Sequence, residues 1–191
     1  VVATLPRVTA SAVDRDAAAA AIDAAVRAAS AGGAPIFAIE AGDLARLAPT
    51  LILTQTLCDV CAVSEGDVRG MSAVLPDAPR ILPLTGTTLE GVWADVRAVG
   101  DALGRAREAE TLLADIAARL RRVHATLEEA RAPRPGVAVI EWTDPLFVAG
   151  HWTPELVRRG GGVDLLAEPG AHSVRIAAYR IREAAPDRLL F

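Results

Sequence analysis

The chain has 191 residues, 52% of them hydrophobic, a formal net charge of -4 and a pI near 5.4. That length accommodates one large domain or two small ones, and a mean hydropathy of +0.31 argues against a disordered chain. The basic residues, all twenty of them Arg, are scattered along an acidic chain, so nucleic acid is not an expected partner. No stretch has the eighteen or so uninterrupted apolar residues of a membrane span, and no leader pattern opens the chain. Because Val1 is not a Met and Phe191 falls inside an apolar run, a longer parent protein is expected, truncated at both ends. Lys and Asn are absent while Ala abounds, a bias of genome base composition rather than of function. Two Cys are too few for a disulfide scaffold and leave the redox compartment open.

Taken in order, Ser11-Ala12-Val13-Asp14 reads as a variant capping box, predicting a helix from Ser11 to Ser30 that Gly32 and Gly33 stop. A short strand is predicted at Ile36 to Ile39, a short helix at Gly42 to Leu47, and a buried strand at Leu51 to Thr54. The loop Gln55 to Ser64 leads to a helix over Glu65 to Val74, and Pro76 and Pro79 precede a strand at Arg80 to Leu84. Thr87 with Glu90 predicts a capping box for an amphipathic helix that Gly104 ends. Between Arg105 and Arg131 there is neither Gly nor Pro, and Leu113, Ile116, Leu120, Val123 and Leu127 alternate in spacings of three and four. Such a helix is about 40 Å long and outspans one small lobe, so it is expected to act as a strut between two. A coiled-coil segment is the competing reading, but the run is short for one.

Beyond Pro133 a second α/β pattern begins. It predicts a strand at Val137 to Trp142, a loop from Asp144 to Trp152, and a helix opened by Thr153 as N-cap with Pro154 at the first position. Val163 to Leu166 is an apolar segment and Glu168 to Arg175 a loop, followed by a short helix at Tyr179 to Ala184 and a strand at Arg188 to Phe191. An internal echo links the halves: Leu44 to Thr50 before the strand at Leu51, and Ile181 to Asp187 before the strand at Arg188. Each is a short amphipathic helix, an Ala-Pro break, then a strand. The expected fold class is α/β, with two Rossmann-like lobes of mainly parallel sheet joined by one long helix. The first lobe covers 1–104, the linker helix 105–131 and the second lobe 132–191. Ligands of such sheets bind at the carboxyl ends of the strands, here the loops after Thr54 and after Trp142.

The stretches Leu51-Ile52-Leu53-Thr54-Gln55-Thr56-Leu57-Cys58-Asp59-Val60-Cys61-Ala62-Val63-Ser64 and Ile140-Glu141-Trp142-Thr143-Asp144-Pro145-Leu146-Phe147-Val148-Ala149-Gly150-His151-Trp152-Thr153-Pro154-Glu155-Leu156, with Gly160-Gly161-Gly162, resemble a known family. It is the cobalamin-binding branch of the solute-binding proteins that serve cobalamin and iron-siderophore ABC importers, the helical-linker class III type. The resemblance runs through nearly the whole chain. It implies cobalamin or a related corrinoid as transported ligand in a cleft between lobes, no catalytic cofactor, a membrane permease as partner and a monomer. It also implies an extracytoplasmic place, periplasmic or lipid-anchored, although the residues alone leave a cytoplasmic one open. In that group an acidic residue on each lobe meets Arg residues of the permease. Glu65 stands at the first position, whereas Tyr179 stands at the second and departs from the pattern.

The expected ligand-binding residues are Gln55, Cys58, Cys61, Glu141, Trp142, Phe147, His151, Trp152 and Arg175, with none catalytic and none holding a resident metal. A corrin ring is broad, flat and largely apolar, which suits the aromatic faces of Trp142, Phe147 and Trp152. Trp142 and Phe147 are equally readable as lobe core. His151 is expected to hydrogen-bond a corrin amide or approach cobalt, or simply to be solvated. Glu141 orients polar groups or faces solvent, and Arg175 suits amide carbonyls or phosphate where it is not a plain surface Arg. Cys58 and Cys61 form a C-x-x-C, so a thiol-dependent oxidoreductase is the rival from another class. Asp59 between the two thiols and the absence of a cationic neighbour argue for a structural or cleft-lining pair. Zinc would need two further ligands that the sequence does not supply. A ferric-siderophore or haem carrier is the alternative within the binding class, and no Ser/His/Asp order, phosphate loop or carboxylate pair offers catalysis.

Overall fold

The computed structural model describes residues 4–32, 34–57, 63, 65–72, 75 and 77–191. The chain divides into two compact units, Val1–Thr85 and Gly86–Phe191, so the helix after Thr88 and the long helix both belong to the second unit.

In the first unit β1 (Thr9–Ser11) runs antiparallel to β2 (Phe37–Ile39), and β3 (Leu51–Gln55) runs parallel to β4 (Arg80–Leu84). The helices are α1 (Ala19–Gly32), α2 (Ala41–Leu47) and α3 (Glu65–Ser72). Ser11 caps no helix, contrary to the capping-box expectation: it ends β1, its Oγ accepts from Val13 N at 3.1 Å, and the helix starts eight residues later at Ala19. A hydroxyl offers a turn the same local bond it offers a helix, and pairing of β1 with β2 selects the turn here.

The second unit opens with a helical hairpin, α4 (Leu89–Ala102) and α5 (Ala106–Glu129). The N-cap of α4 is Thr88 and not Thr87, since the Thr88 side chain accepts from Gly91 N at 3.1 Å. A second cap comes from afar: a Glu155 carboxylate oxygen accepts from Leu89 N at 2.7 Å, across 66 residues. Gly100 permits the close crossing of the hairpin, because a Cβ there would lie 2.5 Å from the Ala109 Cβ. Ala109 and Leu113 are the buried residues of α5.

Around β5 (Gly136–Thr143) the strands β7 (Val163–Asp164) and β9 (Arg188–Leu190) run parallel, while β6 (Leu146–Val148) folds back antiparallel and carries β8 (Val174–Arg175). Among the described residues β9 pairs with β5 alone. Of the six pairings among the described residues three are parallel and three antiparallel, which corrects the expectation of mainly parallel sheets. The departure arises chiefly in 144–152 and 168–175, read from sequence as loops, where β6 and β8 form. Val137, Ala138, Ile140, Val148 and Ala149 are the buried centre of this unit. The short helices are α6 (Thr153–Arg159) and α7 (Ala178–Ala184). Trp152 takes the N-cap place of α6 with no side-chain bond, so Thr153 is its first residue rather than its cap.

The internal echo has a matching geometry. Helices α2 and α7 both have seven residues and both end on a left-handed alanine, Ala48 at φ 43° and Ala185 at φ 45°. In each case a Pro follows, and then a strand of a parallel pair, β3 with β4 and β9 with β5.

Candidate functional site

The carboxyl end of β5 gathers the aromatic residues. Ile140 faces Val148 and Trp142 faces Phe147, so Glu141 is an extra residue inserted in one strand. Without this bulge Trp142 would share a face with Ile140, two residues earlier. With it, Trp142 turns to the opposite side from the buried Ile140 and Val148. Phe147 faces Arg175 across to β8, and the three side chains form a row over three strands, Trp142–Phe147–Arg175. Trp142 and Phe147 are half-buried, Arg175 is exposed, and Trp142 Nε1 donates to the Asp144 carbonyl at 2.9 Å. Arg175 pairs with no carboxylate among the described residues.

Beside this row, Gly150 and His151 are clamped against the segment 170–173. His151 N donates to the Ala171 carbonyl at 2.6 Å and the His151 carbonyl accepts from Gly170 N at 2.8 Å. Both main-chain groups are therefore fixed while His151 holds a left-handed φ of 56°. Gly150 N donates to Ser173 Oγ at 3.0 Å, and Ser173 Oγ donates to a Glu141 carboxylate oxygen at 2.8 Å. The Glu141 carboxylate thus holds the loop in place through Ser173. The His151 ring lies 5.9 Å from that of Trp152 and 5.4 Å, edge-on, from that of His172. Its Nε2 is buried with no hydrogen-bond partner among the described residues. A buried ring nitrogen without a partner costs about 1–3 kcal/mol, so such a group calls for a reason.

Sequence reasoning missed His172 and Ser173. Both act through a loop that folds back some twenty residues after Gly150, and spacing does not reveal that return. Glu141, Trp142, Phe147, His151, Trp152 and Arg175 all lie in this one region of the second unit. In the first unit Gln55 ends β3 and lines a cavity of about 430 Å3 together with Leu44, Ile52 and Val68. Cys58 and Cys61 lie outside the described residues. Glu65 is the first residue of α3, and Tyr179 lies on α7, 52% exposed. Among the described residues no group of three or more His, Cys, Asp or Glu gathers to hold a metal, and no helix is long and apolar enough to cross a membrane.

No family model matches the chain, and no curated protein matches it. Solved structures do. An ABC-transporter substrate-binding protein from Listeria monocytogenes superposes with a TM-score of 0.63 at 17% identity, covering 79% of this chain and 56% of that one. A periplasmic heme-binding protein from Pseudomonas aeruginosa gives 0.63 at 20% identity, covering 80% and 54%. The periplasmic vitamin B12-binding protein of Vibrio cholerae gives 0.58 at 14% identity, covering 80% and 57%. The chain therefore has the mixed α/β fold of these substrate-binding proteins, and it spans little more than half the length of the neighbours it matches.

Proposed function

We propose that this protein binds a corrinoid outside the cytoplasm and hands it to the permease of an ABC importer. The observation that carries this reading is the row Trp142–Phe147–Arg175, laid beside a clamped His151 whose Nε2 lacks a partner among the described residues. Two aromatic faces and one guanidinium suit a broad, flat ring with a polar, amide-bearing edge. The domain reading belongs to the same proposal, with lobes at 1–104 and 132–191 and the long helix between them along the chain. So does a role for Gln55, Cys58 and Cys61 toward the ligand, and for Glu65 toward an Arg of the permease.

A second reading, haem, is favoured by the His151–His172 pair, since an imidazole is an axial ligand for haem iron and Arg175 suits a propionate. Spectral titration of the chain with cyanocobalamin and, separately, with haemin tests both. The corrinoid reading expects saturable shifts with cyanocobalamin and a weaker response to haemin. Haemin binding with a sharpened Soret band, and none of cyanocobalamin, establishes the second reading. Absence of both responses overturns the site. The rival oxidoreductase reading expects turnover of a disulfide substrate that is lost in Cys58→Ser.

A further inference from the structure

Strand pairing decides the face on which Arg175 stands. Residues directly opposite one another on neighbouring strands project from the same face of a sheet. Arg175 therefore shares the face of Phe147 and Trp142, while Val174 stands opposite the buried Val148 on the other face. From β5 across β6 to β8 is two strand spacings, about 10 Å. A flat macrocycle laid on the two aromatic rings thus meets β8 at its edge. Arg175 stands beside that edge and not under the face.

The charge of Arg175 is not neutralised within the protein. The carboxylates next to the row in the chain are those of Glu141, at the bulge, and Asp144, at the tip of the β5–β6 hairpin. Glu141 accepts from Ser173 Oγ at 2.8 Å. Among the described residues neither carboxylate pairs with Arg175, which is exposed. A free guanidinium at the rim of an aromatic surface is suited to an anionic group on the ligand, above all to a phosphate, whose oxygens match its planar fork. The acetamide and propionamide arms of a corrin ring are neutral. A complete corrinoid carries one anionic group at its periphery, the phosphodiester of its nucleotide loop, and a cobinamide ends without it.

We propose that Arg175 binds this phosphodiester, so that the site selects complete corrinoids over cobinamides. This inference rests on the corrinoid reading and adds a discrimination within that ligand class. Amide carbonyls also accept from a guanidinium, but both ligands carry them, so they discriminate nothing. The phosphate adds a full charge and a two-pronged contact to one ligand alone.

The test crosses one variant with one change of ligand. Dicyanocobalamin and dicyanocobinamide are kept in excess cyanide, so that cobalt carries the same two ligands in each. Both are dialysed to equilibrium against the 191-residue chain and against Arg175→Gln, with bound ligand read from the corrin absorbance. The parent is expected to prefer dicyanocobalamin. Arg175→Gln is expected to lose about tenfold in affinity for it, and to bind dicyanocobinamide within about twofold of the parent. Arg175→Lys, which keeps the charge without the fork, is expected to recover part of the loss. Because the guanidinium is exposed, raising NaCl from about 50 to about 500 mM should weaken dicyanocobalamin binding in the parent and not in Arg175→Gln. Thermal midpoints of all three proteins are expected to agree, since an exposed side chain without a partner contributes little to stability. A preference that survives Arg175→Gln, or its absence in the parent, overturns this inference and leaves the corrinoid reading standing. A parent chain that binds neither ligand overturns the corrinoid reading and this inference with it.

Discussion

Gly150 shows how one residue type sets the geometry of the site. A Cβ there would meet the Ala171 carbonyl, and the backbone of His172 and Ser173 at 2.6 Å, none of which yields like a side-chain end. Gly150→Ala is therefore expected to cost about 3 kcal/mol or more, read as a lowered midpoint in urea. Ser173→Ala leaves the Gly150 N–H and the Glu141 carboxylate without their shared partner. The expected loss is about 1–3 kcal/mol of stability, with Ser173→Thr retaining most of it. On the ligand side, Phe147→Ala and Trp152→Ala each remove a large apolar face. Cyanocobalamin affinity is expected to drop about ten- to a hundredfold in each, with folding intact. Parent-like affinity in both variants would place these side chains outside the site. The aromatic cluster itself was legible in the sequence because three large rings crowd into a dozen residues of an aromatic-poor chain. What the cluster faces was not legible. It depends on the bulge at Glu141, and a single inserted residue reverses every side chain after it without altering composition or local pattern.

Among the elements, those with strong periodicity were readable and those stabilised by distant partners were not. The long helix was expected at Arg105 to Arg131 and is observed at Ala106–Glu129, because its apolar stripe recurs through about four turns and neither Gly nor Pro interrupts the run. By contrast β6 and β8 have three and two residues, too few to display an alternation, and exist because β5 offers an edge. The capping threonine of α4 was misplaced by one residue. Thr87 and Thr88 are chemically alike, and the choice follows from the chain's entry into the helix and from Glu155, a partner no local window contains. Thr88→Ala is expected to lower stability by about 1 kcal/mol and Thr87→Ala by little, as chemical denaturation of the two variants would reveal. The left-handed alanines that end α2 and α7 carry a different expectation. A Cβ in that conformation costs about 1–2 kcal/mol, so Ala48→Gly and Ala185→Gly should each raise the thermal midpoint. A lowered midpoint in either variant would show that the Cβ packs usefully there.

At the scale of the whole molecule, most charges of opposite sign are mixed, and one cavity of the second unit departs from that pattern. A chain of net charge -4 keeps six arginines around that cavity, so its behaviour toward ions is local and is not predicted by its pI. Another property belongs to the bond by which a Glu155 carboxylate oxygen accepts from Leu89 N across 66 residues. It ties the entry of the helical hairpin to α6, so the Leu89 amide should be protected from deuterium exchange, and Glu155→Ala should release that protection while the middle of α5 stays protected.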